Sequence, residues 1–189
     1  MFENCSSLIS IDLSNFTPKE VLDISYMFYN CERLTEINLS NFNTNQVRNM
    51  AGIFNGCKSL VNLDITSFNT ICANNMMGMF SNCSSLTAIN LKNFHTNNVT
   101  HMTGMFHGCK NLIDLDLSRF DTSNVYYMNG MFYNCYSLVD LDISSFSCEK
   151  IKSNNEMKNM FFGCKYLRKE RIKYNDEKIK KQIIIDVII

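Results

Sequence analysis

The sequence predicts an α/β repeat solenoid, a stack of 26-residue strand–turn–helix coils with their strands in a parallel sheet. Three observations carry this expectation. Cys5, Cys31, Cys57, Cys83, Cys109 and Cys135 stand 26 residues apart, and Cys164 follows after 29; a fixed period of roughly 20–50 residues marks a repeat array. Leu stands three residues beyond each of these cysteines, at Leu8, Leu34, Leu60, Leu86, Leu112, Leu138 and Leu167. Phe recurs at one phase farther on, at Phe16, Phe42, Phe68, Phe94, Phe120 and Phe146. One unit has too little apolar surface to close a core alone, so neighbours must stack.

The strand comes first in each unit. The core L-x-x-[IL]-[DN]-[LI], as in Leu34, Ile37 and Leu39, places alternate residues inward. The recurrent Phe then predicts an aromatic stack inside the coil. The second half of the unit has helical spacing: Val47, Met50, Ile53, Phe54 and Cys57 fall on one face of a helix. Thr44, Thr70, Thr96 and Thr122 lie three residues before the first apolar position, where an N-cap belongs. Only Asn or Gly precedes each repeat cysteine (Asn4, Asn30, Gly56, Asn82, Gly108, Asn134, Gly163), which predicts a left-handed residue ending each helical turn. Gly52, Gly78, Gly104 and Gly130 form a second column inside the helical segment. Glycine is unfavourable there by about 1 kcal/mol, so close approach between coils is the expected reason.

The period also gives the cysteines a meaning. Their phase with Leu and Phe makes the ladder cysteines buried, reduced thiols, since in-register Cβ atoms stay near the rung spacing and cannot close disulfides easily. Zinc needs tighter Cys/His pairing than this chain has. Cys72 sits at a variable, exposed position and Cys148 occupies the Thr column. His95, His101 and His107 occupy columns filled elsewhere by Asn69, Asn75 and Ser81, so solvated surface is expected, with a weak metal or anion patch as the alternative. No phosphate-cradling glycine motif, zinc-protease helix or nucleophile elbow is present in the sequence. No enzyme and no cofactor are expected.

Binding is expected on the outward side of the strands. One outward column reads Asp12, Asn38, Asp64, Asn90, Asp116, Asp142, and the next reads Ser10, Glu36, Asn62, Ala88, Asp114, Asp140. Stacked carboxylates repel, and interposed Asn relieves that repulsion. The candidate partner-binding residues are Glu36, Asn38, Asn62, Asp64, Asn90, Asp114, Asp116, Asp140 and Asp142. Asp114, Asp116, Asp140 and Asp142 break the alternation on adjacent rungs, and are a candidate Ca²⁺ site against the plainer reading of a solvated acidic face.

The solenoid is expected over residues 1–167, about six to seven coils, with a capping segment over 168–189. Three extra residues in Lys152–Glu156 predict a surface loop. The final IIIDVII (183–189) is β-branched and reads as a last strand joined to the sheet or packed beneath it. At the other end Phe2, Leu8, Ile11 and Leu13 belong to an open coil, which makes self-association through the solenoid ends an expectation.

Net charge is zero, from 18 Lys+Arg and 18 Asp+Glu, yet residues 165–189 carry +4 and the repeats −4. This gives no general reason to expect nucleic acid as partner. No apolar run approaches the ~20 residues of a membrane span, and 46% hydrophobic content excludes a disordered chain. The N-terminal MFENCSSLISIDL lacks a charged segment followed by an apolar stretch and reads as no secretory signal.

The segments MFYNCERLTEINLSNFNTNQVRNM (27–50) and MFHGCKNLIDLDLSRFDTSNVYYM (105–128) resemble the BspA-like branch of the leucine-rich repeats, including the domain associated with mycoplasma lipoproteins. The resemblance implies a right-handed solenoid and a surface-exposed or secreted interaction protein, with no catalytic residues. A protein or glycan ligand bound through the exposed sheet face is the expected function. The alternative is an intracellular, cytoplasmic scaffold or effector of the same shape, favoured by reduced cysteines and the lack of a signal.

Overall fold

In the computed structural model, which describes residues 1–16 and 20–187, equivalent residues of successive units lie beside one another. Strand β1 (Ser10–Asp12) pairs in parallel with β2 (Glu36–Asn38), in the register Ser10↔Glu36, Ile11↔Ile37, Asp12↔Asn38. Near the other end β3 (Leu141–Asp142) pairs in parallel with β4 (Ile172–Lys173). Between them, among the described residues, the strand side carries the single parallel bridges Ala88↔Asp114 and Asp116↔Asp142 in place of paired strands. A second line of bridges runs Asp23↔Asn49↔Asn75↔His101↔Tyr127 on the opposite half of the coil. Stacking is therefore one-dimensional, each coil bonding mainly its two neighbours.

The back half of the coil is not a helix. In residues 76–83 the amides of Met76, Gly78, Phe80 and Asn82 donate to the carbonyls of His101, Thr103, Met105 and His107 in the next coil, at 2.6 to 3.0 Å. The alternate amides of Met79, Ser81 and Cys83 close turns onto the carbonyls three residues earlier. An α-helix needs each amide to reach the carbonyl four residues earlier in its own turn. Here half the donors point along the solenoid axis instead, and the segment becomes a chain of turns held by a ladder between coils. Its inward residues (Val99, Met102, Met105, Phe106, Cys109, Leu112) are all buried. Their spacing of mostly three is common to one face of a helix and to a row of turns, so the apolar pattern alone does not separate the two.

Two other expectations change with it. Gly78 and Gly104 have φ of +58° and +59°, and the same column holds left-handed Tyr26 at one end and Asn159 at the other. A Cβ on Gly104 would meet nothing closer than 3.5 Å, so backbone conformation, not crowding, selects glycine there, whereas at Gly52 the expected close approach is also present, with the Tyr26 ring of the preceding coil 2.6 Å from a Cβ. Thr44, Thr70, Thr96 and Thr122 are not caps but buried bridges, 0–2% exposed. The Thr96 hydroxyl donates to the Asp121 carbonyl at 2.9 Å and accepts from the Asp121 amide at 2.8 Å. Thr44, Thr70 and Thr122 repeat this with Asn69, His95 and Ser147.

The core is a set of columns. Phe2, Phe28, Phe54, Phe80, Phe106, Phe132 and Phe161 form the long aromatic ladder, with ring centroids 5.5 to 6.0 Å apart and planes within 15° of parallel. Among the described residues, stacking at the phase expected from the sequence runs only Phe16–Phe42–Phe68. Beside the long ladder the thiols of Cys57, Cys83, Cys109 and Cys135 donate to the carbonyls of Phe28, Phe54, Phe80 and Phe106 at 3.1 to 3.2 Å. All nine cysteines are free. Cys5 departs from its column and is exposed.

The C-terminal segment also differs from expectation. Residues 183–186 are not a strand but the end of helix α1 (Glu177–Asp186), which follows a 3₁₀ turn at Lys169–Arg171 and β4. Asp176 caps α1 by accepting from the Lys178 amide at 2.7 Å. Ile179, Ile183 and Val187 enter the core, while Ile184 and Ile185 are exposed. The isoleucines fall at helical spacing once the helix begins at Glu177, and packing of that face outweighs their β-propensity. Residues 188–189 of the expected strand lie outside the described residues. The Lys152–Glu156 insertion holds a 3₁₀ turn, Asn154–Met157, and keeps the ladder intact: the Met128 amide donates to the Glu156 carbonyl at 2.8 Å.

Candidate functional site

The strand face is built from residues the fold leaves pointing outward. Each Asp or Asn of the first outward column closes a turn as the chain leaves the strand. The Oδ1 atoms of Asp12, Asn38, Asp64, Asn90, Asp116 and Asp142 accept from the amide two residues on, at 2.8 to 3.2 Å. Asp64 and Asp142 also accept from the hydroxyls of Thr66 and Ser144, both at 2.6 Å. These bonds stabilise the ionised form and hold Asp12, Asp64, Asp116 and Asp142 below the usual carboxylate range. Asp and Asn suit the column because their short side chains reach that amide and accept from it more strongly than a hydroxyl does.

The second outward column has no such duty. Glu36, Asn62 and Asp114 are exposed and make no side-chain hydrogen bond among the described residues, as the strand order requires of positions between inward Leu and Ile. Asp140 is exposed but engaged: Arg171 Nη1 donates to it at 3.2 Å. Lys173 Nζ lies 3.2 Å from Asp142 Oδ2. The four carboxylates of the last coils are therefore not gathered round one point. Asp140 and Asp142 face cations from β4 and its preceding turn, Asp116 and Asp142 have an oxygen committed to their own turns, and among the described residues no group of three or more His, Cys, Asp or Glu is placed to hold a metal ion. Ca²⁺ takes 6–8 oxygens at about 2.4 Å, so this face lacks that cage. Arg171 and Lys173 were not among the sequence candidates. Their signal was the basic composition after residue 165, but which acids they meet depends on the inserted residues that set the register of β4.

Around Asn62, Asp64 and Asn90 the strands separate. No backbone hydrogen bond joins residues 61–65 to the coils on either side, and a shallow groove of about 500 Å³ opens there, lined by Asn62, Leu63, Asp64, Thr66, Ala88, Ile89 and Asn90. The candidate residues thus divide into a groove in the middle coils and an acidic, partly ion-paired patch on the last ones.

The histidines are less solvated than expected. His95 is exposed, but His107 is half-buried and stacks on Tyr133 with centroids 4.7 Å apart and planes 4° from parallel. Burial pushes the His107 pKa down. His101 packs on Tyr127 at 5.0 Å. The buried thiols are chemically quiet for the same physical reason. Desolvation pushes Cys57 up to about 12, with the neighbouring Cys31 adding to the shift, and raises Cys83 and Cys109 well above the ordinary thiol value.

Ladders of parallel bridges, stacked inward columns and an outward strand face define a repeat solenoid of the leucine-rich-repeat kind. The crystal structure of a leucine-rich repeat protein of T. pallidum is similar, with a TM-score of 0.54 and 21% identity over 96% of this chain and 73% of that one. The family model "Mycoplasma protein of unknown function, DUF285" matches residues 1–90 and 74–183. The chain belongs to that family. None of the curated proteins matches. No helix among the described residues is long and apolar enough to cross a membrane.

Proposed function

We propose that this chain is a non-catalytic binding module which presents its strand face to a protein or glycan, in adhesion at a cell surface. The observation that carries the reading is the division of labour among the outward residues. The Asp/Asn column is held rigid by its turns, and beside it Glu36, Asn62 and Asp114 stand exposed with no structural bond to make. A fixed row of polar side chains at rung spacing suits recognition of an extended partner, because little is lost in ordering it. The leucine-rich-repeat likeness supports the same reading, with a 26-residue right-handed coil and a C-terminal cap in which α1 covers the last coil. Nine free thiols favour the alternative of an intracellular scaffold.

The test is a paired pull-down from the source cells with wild type and a variant carrying Glu36→Gln, Asn62→Ala, Asp64→Asn and Asp114→Asn. A partner held by the wild type and lost from the variant, with unchanged circular dichroism, supports the strand face. Equal recovery by both proteins overturns it. An impermeant amine label on intact cells separates the two compartments. The half-buried Phe2, Leu8 and Ile11 of the first coil also suit self-association, measured as sedimentation against concentration.

A further inference from the structure

A second feature lies off the strand face, on the flank where the last coil enters its strand. A cavity of about 410 Å³ is lined by Val139, Lys165, Tyr166, Arg168 and Arg171. Three of these five residues are cations and none is an acid. Lys165 and Arg168 have no carboxylate within 4.0 Å among the described residues, and Arg171 shares one of its N–H groups with Asp140. The Lys165 ammonium lies 5.4 Å from the centre of the Tyr166 ring, which is 55% exposed. Across the next rung Lys110 sits 5.8 Å from the Tyr136 ring. Tyr166 and Val139 thus give the cavity an apolar wall beside its charged one.

The repeat does not require these cations. The column of Arg168 holds Thr35, Val61, Thr87, Ile113 and Val139 in other coils, and that of Lys165 holds Glu32, Lys58, Ser84, Lys110 and Tyr136. Folding tolerates almost anything at these exposed positions, yet here three like charges are set round one concavity. Guanidinium forks bind tetrahedral oxyanions with paired charge-assisted hydrogen bonds, and an ammonium adds a point charge. The volume exceeds that of a bare oxyanion and accommodates a sugar ring against Tyr166. Concavity favours a ligand that enters over a flat bilayer surface.

We propose that this cavity binds a sulfate or phosphate ester carried on a saccharide, with Arg168, Lys165 and Arg171 on the oxyanion and Tyr166 under the sugar. The site is separate from the strand face and does not depend on that reading. The experiment is titration calorimetry of the full chain with a sulfated hexasaccharide, its desulfated form, glucose 6-phosphate, inorganic sulfate, and vesicles containing anionic phospholipid. Sulfated hexasaccharide or glucose 6-phosphate is expected to bind, the desulfated form not. Lys165→Ala with Arg168→Ala lowers affinity by at least about tenfold, as loss of two charge-assisted contacts requires. Removing the same charge remotely, by Arg33→Ala with Arg48→Ala, has little effect. Tyr166→Ala weakens the saccharide but not inorganic sulfate. Asp140→Asn frees Arg171 and tightens binding by a few-fold, a direction that general structural damage does not produce. Equal loss from the remote pair, no preference for either ester over the desulfated form, or tighter binding to vesicles than to either ester overturns the proposal. Loss of the strand-face partner leaves these titrations unchanged, so the two ideas fail separately.

Discussion

Thr96 offers the sharpest test of how the coils are joined. Replacing it by Val keeps the shape and removes the hydroxyl. That oxygen serves both backbone groups of Asp121, donating at 2.9 Å and accepting at 2.8 Å, from a side chain only 2% exposed. The change leaves one amide and one carbonyl without a partner. Each costs roughly 1–3 kcal/mol when solvent is kept out. Asp121 itself faces solvent, so the lower end applies, and the expected loss is about 2–3 kcal/mol. Thr96→Ser keeps the bonds and loses one methyl, at about 1 kcal/mol. Thr96→Asp separates the structure from the cap expected of the sequence. An N-cap accepts Asp as well as Thr, whereas a closed bridge must bury a carboxylate and lose its donor. The assay is urea unfolding followed by circular dichroism, with hydrogen exchange at the Asp121 amide as a local readout. If Thr96→Val and Thr96→Asp both stay within about 0.5 kcal/mol of wild type, the bridging role is refuted.

The remaining predictions rest on other columns. Gly104→Ala is expected to destabilise by about 1–2 kcal/mol, measured in the same unfolding assay, because Ala must adopt φ of +59°; in a helix the substitution would stabilise. The raised pKa of Cys57, Cys83 and Cys109 makes their folding contribution fully present below the ordinary thiol pKa of 9.0. That contribution is lost as pH rises above it, so stability declines progressively from about pH 9, while Ellman titration of native protein labels Cys5 and Cys72 first. Asp64, lowered by its bonds to Thr66, has the opposite sense. Its contribution is present above the ordinary carboxylate value of 3.8 and lost as pH falls. Asp64→Asn keeps the turn and flattens the acid limb of the stability–pH profile, and an unchanged limb would contradict that assignment.

Much of the fold was legible because one-dimensional stacking writes every structural demand once per period. The Cys, Leu and Phe columns announce burial, and the alternation around Ile37 announces the strand. Asn4, Asn30, Asn82 and Asn134 do adopt positive φ, as a column restricted to Asn and Gly implied. The alternation within that column was opaque, and the structure explains it. A Cβ at Gly108 would stand 2.6 Å from Oδ1 of Asn82 in the preceding coil, and Asn30 and Asn134 lean in the same way into space that only Gly56 and Gly163 leave, while Asn4 is met by the side-chain amide of Asn30. The candidate site was legible as a set of outward positions. Which of them are free was not, because a carboxylate closing a turn and one awaiting a ligand look alike in sequence.

The sequence by itself determined the period, the inward columns, the outward face and the separation of an acidic array from a basic end. Each of these follows from a side chain's own polarity, repeated. Tertiary structure decided where the amides of the back half point, hence turns in place of a helix. It decided what Thr and Cys bond to, and that Arg171 and Lys173 meet Asp140 and Asp142 while Lys165 and Arg168 find no carboxylate among the described residues. The physical reason is that these contacts run between coils, over 25 to 32 residues of chain. Local periodicity says which side of the coil a residue faces but not which atom of the next coil lies opposite.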